Sequence, residues 1–129
     1  MRVKTMHYEN ADVDVIYSDI SLDTPATYIG KFNVAIVDGT LSETEINKAM
    51  LHEIGHATNH QNESSLYCST ASSHLKMEHE ADKFMVNELV HEYLLQSGID
   101  AKDVNYQDFA NNNHLKDSSL VKKALRSNI

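Results

Sequence analysis

Two histidines four residues apart, with a glutamate directly after the first, constrain this chain more than any bulk property. The run is His52-Glu53-Ile54-Gly55-His56. On an α-helix four residues turn about 400°, so both imidazoles leave one face, one turn apart, and can reach a single ion. The flanking sequence agrees with a helix. Ser42-Glu43-Thr44-Glu45 has the form of a capping box, and a helix is predicted from there to about residue 59. Ile46, Ala49, Met50, Ile54 and Ala57 form its apolar stripe. Glu53 projects about 100° from His52, between that stripe and the histidine pair. A carboxylate aimed toward a core is costly unless a cation or hydrogen bonds compensate it. One catalytic zinc ion held by His52 and His56 would do so, with Glu53 placed as a general base.

A catalytic zinc takes three protein ligands as a rule, so a third is needed. His60 continues the four-residue spacing but lies about 12 Å along the axis from His52, too far for easy sharing. It reads as an outer or structural group. The better candidate lies in Glu78-His79-Glu80-Ala81-Asp82, within a second long helix predicted over residues 73–97. Glu78 and Asp82 share one face with Ala81, Met85 and Leu89, which read as core. Two acids on a core-facing stripe need a cationic partner. Glu80 projects to the opposite side with Lys83 and Asn87 and reads as solvated. Glu78 is therefore the expected third ligand, and Asp82 is expected to hold the free ring nitrogen of a ligating histidine. His74 lies one turn before Glu78 and reads as a core or surface group.

Elsewhere the elements are thinner. Val13, Val15 and Tyr17 alternate with polar residues, and Phe32 to Val37 is rich in β-branched types, so two strands are predicted. Residues 19–30, with Pro25 and Gly30, read as a loop, as does the polar stretch from His60 to Ser73. Gly98 fits the left-handed position past a helix end. Short helices are expected over 105–112 and 118–127. Strands followed by helices imply an α+β fold: a short N-terminal sheet, then the active-site helix, then the second ligand-bearing helix. The 129 residues suit one domain, 1–129.

Composition narrows the functional classes. A net charge of −8 disfavours nonspecific binding to nucleic acid or anionic lipid. The basic cluster Lys122, Lys123 and Arg126 reads as a solvated helix face. No apolar run approaches a membrane span, and no apolar leader opens the chain. The single cysteine, Cys68, permits no internal disulfide, so a cytoplasmic location is expected. Two histidines and a carboxylate favour zinc among divalent ions.

The His52–His56 run together with Glu78-x-x-x-Asp82 resembles the gluzincin arrangement, in which the third ligand is a Glu four residues before an Asp or Asn. Within that group the chain is similar to the ImmA/IrrE family of small metallopeptidases. The likeness rests on the strand-like Phe32 to Val37, the zinc helix, and the segment Glu78-His79-Glu80-Ala81-Asp82-Lys83-Phe84, with one intervening residue placed differently. An aliphatic run, Met85 to Leu95, follows. The resemblance spans roughly residues 28–96. Where family members have a Leu-Leu-Met-Pro-like stretch this chain has Leu94-Leu95-Gln96-Ser97, and the C-terminal third resembles no family.

The resemblance implies a zincin-like fold and a cytoplasmic peptidase of the kind encoded by phages and integrative elements, whose relatives cleave helix-turn-helix transcriptional repressors. The expected function is zinc-dependent hydrolysis of a protein or peptide substrate, with such a repressor as the first candidate. Glu53 would accept a proton from water and pass it to the leaving amine. The stretch Phe32 to Val37 could hold an extended substrate by main-chain pairing. Tyr67, Tyr93 and His74 are candidates for stabilising the oxyanion, against aromatic core packing for the tyrosines. The competing reading is a non-catalytic, zinc-stabilised regulator that binds a repressor or toxin partner. A structural site needs no base at Glu53, which weighs against it.

Overall fold

Val13 and Val15 are fully buried while Asp12 and Asp14 between their positions are exposed, the two-residue period of a strand with one face on a core. They belong to a four-stranded sheet in a computed structural model that describes the backbone of residues 2–8, 11–60 and 71–129. Its strands are β1 (Arg2–Tyr8), β2 (Ala11–Tyr17), β3 (Ala26–Ile29) and β4 (Val34–Val37), in spatial order β1-β2-β4-β3. β1 lies antiparallel to β2 from Arg2↔Tyr17 to Tyr8↔Ala11. β2 and β4 are parallel, and β3 returns antiparallel to β4.

Two strands depart from the sequence reading. β3 falls inside the stretch 19–30 read as a loop; Thr27, Tyr28 and Ile29 are good strand residues, and pairing with β4 outweighs the flanking Pro25 and Gly30. β1 has no apolar alternation to announce it and is fixed by its pairing with β2. The strand expected from Phe32 begins instead at Val34. Phe32 sits in the preceding turn, 68% exposed, and Asn33 takes a left-handed φ of 54°. The Asn33 side chain donates to the Asp12 carbonyl and accepts from the Tyr28 hydroxyl at 2.8 Å, which holds that turn against β2.

The turn after β4 sets the start of the first helix. Asp38 is buried and accepts hydrogen bonds from the Thr40 hydroxyl (2.5 Å), the Leu22 amide (3.0 Å) and the Thr40 amide (2.9 Å). The Thr40 hydroxyl first, then the two amides, hold its carboxyl below the ordinary carboxylate value. Gly39 passes so close to the Ser18 carbonyl that a Cβ there would collide with it. Helix α1 (Glu43–His60) then opens as predicted, with the Ser42 hydroxyl accepting the Glu45 amide at 3.3 Å. It packs across β2, β4 and β3, and Met50, Leu51, Ile54 and Ala57 enter the core beneath it.

Helix α2 spans Ala71–Ser97, close to the predicted 73–97, and buries Ala81, Met85 and Leu89 of the expected stripe. Gly98 ends it at φ 69°, its amide donating to the Leu94 carbonyl at 3.1 Å, as its position past the last turn suggested. The described strand-then-helix order is α+β.

The chain falls into two compact units, Met1–Asp82 and Lys83–Ile129. In the second, a 3₁₀ turn at Ala101–Asp103 precedes α3 (Tyr106–Asn112) and α4 (Ser118–Arg126), which pack together. Asn105 and Asp117 cap them through their side-chain oxygens. Phe109, Ala110, Leu120, Val121, Ala124 and Leu125 form the core of this unit, and Lys122, Lys123 and Arg126 are exposed on α4, the solvated face expected of them. Among the described residues no helix is long and apolar enough to cross a membrane.

Candidate metal centre

The helical spacing of His52 and His56 brings their rings to 5.0 Å between centroids, at 81°. Between them stands Glu78 of α2. One of its carboxylate oxygens lies 2.9 Å from His52 Nε2 and the other 3.1 Å from His56 Nε2. One ligand atom from each of His52, His56 and Glu78 falls within 4.8 Å of the others, and among the described residues these three form the group able to hold a metal ion. Glu80 stands outside it. The side chains of His60 and His74, and all of Tyr67 and Cys68, lie outside the described residues. Tyr93 is packed edge-on against Phe109 at 5.2 Å, within the second unit, in the aromatic core role weighed for it.

The donor set suits a zinc-sized ion. With zinc bonds of about 2.0–2.1 Å, neighbouring donors in a tetrahedral site stand roughly 3.3 Å apart. The two His–Glu78 separations are within a few tenths of an ångström of that. The chemistry matches too, since two imidazoles and one carboxylate leave a fourth position open.

Asp82, one turn beyond Glu78, places a carboxylate oxygen 2.8 Å from His52 Nδ1. Nδ1–H donates to Asp82, which directs Nε2 toward Glu78 and His56. Burial by itself would lower the His52 pKa. The hydrogen bond and charge of Asp82, then the charges of Glu78 and Glu53, outweigh it and raise the ring above its ordinary 6.5.

Glu53 is half-buried beside this group, and its carboxyl is pushed up to about 7. Burial is the leading cause. The nearby positive His52 opposes it, the negative Glu78 adds to it, and a hydrogen bond from the Tyr28 main-chain amide opposes it. That amide is the contributor that reading side chains along the sequence does not reveal. Its only signal was the strand-like Thr27-Tyr28-Ile29 between Pro25 and Gly30.

No protein-family model matches the chain, and no curated protein matches it. The site's own geometry is what bears on function.

Proposed function

We propose that this chain is a metallopeptidase of the gluzincin type with a zincin-like fold around its site, in which His52, His56 and Glu78 hold one zinc ion and Glu53 is the general base. The observation that carries the reading is the half-buried Glu53, with a carboxyl near neutrality, standing next to a His-His-Glu donor set. When bound, the ion supplies Lewis-acid polarisation of a carbonyl and acidifies water. Glu53 takes the proton from the attacking water and delivers it to the leaving amine, so that one peptide bond and one water become an acid and an amine. Asp82 keeps His52 in the tautomer that leaves Nε2 free to ligate.

The strand available to an extended substrate is different from the one expected. β4, within Phe32 to Val37, is paired on both sides, with β2 and β3, and has no edge to offer. Among the described residues β3 is the outer strand on that side, and a substrate segment would lie along it. The resemblance to the ImmA/IrrE family extends the reading to a helix-turn-helix repressor as substrate, in the cytoplasm.

The test compares the native chain with Glu53→Gln. Both are expected to hold one zinc by elemental analysis. Hydrolysis of a quenched fluorogenic peptide library, and of a helix-turn-helix repressor encoded beside the gene, should fall by about 10²–10⁴-fold in the variant. If the zinc-loaded native chain is as inactive as the variant on both, the peptidase reading fails and the non-catalytic regulator replaces it.

A further inference from the structure

A cavity of about 300 Å³ lies within the second unit, at the low end of the volumes that ligands occupy. Its apolar lining includes Tyr93 from α2, Phe109 from α3 and Ile99 from the loop between. Phe109 is buried, whereas Tyr93 and Ile99 are 37% and 41% exposed, where an incoming group can reach them. The polar lining includes the carboxylates of Asp103 and Asp108 and the amides of Asn105 and Asn112. No lysine, arginine or histidine lines the cavity.

The protein uses only part of the hydrogen-bonding capacity of this lining. The Asn105 side-chain oxygen accepts the Gln107 and Asp108 amides at 3.0 and 3.1 Å, as the cap of α3. The carboxylates of Asp103 and Asp108, the Asn112 side chain and the Tyr93 hydroxyl have no hydrogen-bond or ion-pair partner among the described residues. Water alone satisfies an exposed carboxylate. Two carboxylates in a concavity with an accessible aromatic ring offer more, because one cation can be paired and stacked there at once.

The lining also narrows which cation fits. A metal ion would find two carboxylates and no third Asp, Glu, His or Cys, and the group able to hold one belongs to the first unit. A lysine ammonium is a compact, strongly hydrated charge that gains little from the ring. A guanidinium is flat, lies against an aromatic face and presents five donors to carboxylate and amide oxygens, while its aliphatic stem can pack on Ile99. The carboxylate of free arginine would meet Asp103 and Asp108 with no basic group to receive it, so the arginine that fits is one within a peptide chain. We propose that this cavity receives an arginine side chain of a partner protein, paired with Asp103 and Asp108 and stacked on Tyr93. The net charge of −8 favours the approach of such a basic partner. The assignment does not depend on the peptidase reading.

NMR titration of the full chain with a blocked glycine peptide carrying one central arginine tests this, because the guanidinium is then the peptide's sole charge. Amides of residues 99–113 should shift and saturate by about 10 mM peptide. The lysine peptide and free arginine should bind more weakly, and the citrulline peptide, with the same shape and no charge, should not saturate. Asp103→Asn combined with Asp108→Asn should weaken arginine-peptide binding by about ten-fold. Asp117→Asn, exposed in the same unit, outside the cavity lining and still a good helix cap, should leave it unchanged. Native resonances for Val121 and Leu125 show that each variant keeps its core. Should the double variant lose them, Asp103→Asn alone carries the test, with an expected loss of about three-fold. A citrulline or lysine peptide that binds as tightly as the arginine peptide would overturn the proposal. So would undiminished binding by the folded carboxamide variant, an equal loss in Asp117→Asn, or shifts that never saturate.

Discussion

In Met1–Asp82 the buried side chains include His56, 9% exposed, and Asp38, 2% exposed, alongside Val13, Val15, Leu51 and Ile54. In Lys83–Ile129 the buried side chains among the described residues are all apolar, from Met85 and Val86 to Val121 and Leu125. The second unit is held by the non-directional removal of apolar surface from water. The first also encloses groups that must be matched one by one. Asp38 is satisfied by three donors from its own loops. The site histidines are satisfied by Glu78 and Asp82, and this second matching is conditional, because it changes with protons and with metal. A polar cluster that is fully satisfied only under certain conditions is a place for chemistry, whereas Asp38 is a place for structure.

The comparison can be broken first at the purely apolar core. Leu125→Ala should cost about 2–5 kcal/mol in chemical denaturation, and that loss should be the same at pH 5.5 and pH 8. A loss that varies strongly with pH would show that the second unit also depends on titrating groups. Next in size is Asp82→Asn, which keeps the shape but removes the charge facing His52 Nδ1. Zinc affinity measured by competition with a chromogenic chelator should weaken by about 10–100-fold. No change would mean that Asp82 does not orient the ring.

The pH dependence of the first unit follows from two raised values. Glu53 lies at about 7 against an ordinary 4.5, and His52 lies above its ordinary 6.5. In the chelator-treated protein the folded state then binds protons more tightly than the unfolded chain. The stability from Glu53 is fully present below pH 4.5 and is lost as pH rises through 7; that from His52 is present below 6.5 and lost above its folded value. Asp38 has the opposite sign and contributes throughout this range, losing its share only as pH falls below 3.8. Thermal unfolding without metal should therefore move to lower temperature from pH 5 to pH 8. Zinc should reverse the trend, since ligation needs the neutral imidazole and strengthens as protons leave. A flat metal-free profile would break the argument. The smallest effect is expected at the cap of α3, where Asn105→Ala should cost about 1 kcal/mol, with no change in zinc content.

The helices were legible because their signals are local. Ser42 and Gly98 mark their ends by chemistry that acts within one turn, and the 3.6-residue period puts His52 with His56 and Glu78 with Asp82 on shared faces. The pairing of those two faces was inferred from the cost of burying acids, and the geometry places Glu78 between the histidines. The sheet was legible only where one strand alternates over its own length, as Val13 to Tyr17 does. β1 and β3 take their identity from partners that are distant or reversed in sequence, so propensity alone missed them. The edge was missed for the same reason: Phe32 to Val37 reads as an excellent strand, but its central place depends on strand order. The Tyr28 amide was invisible because a main-chain donor carries no residue-type signature.

The outer edge of β3 has one more consequence, for how this protein behaves at high concentration. An exposed strand edge is a template on which another chain can build, and proteins guard such edges by keeping them short, placing proline at their start or occupying their hydrogen-bonding groups. β3 is four residues long and follows Pro25. These features leave little room for the indefinite strand-on-strand growth of an aggregate.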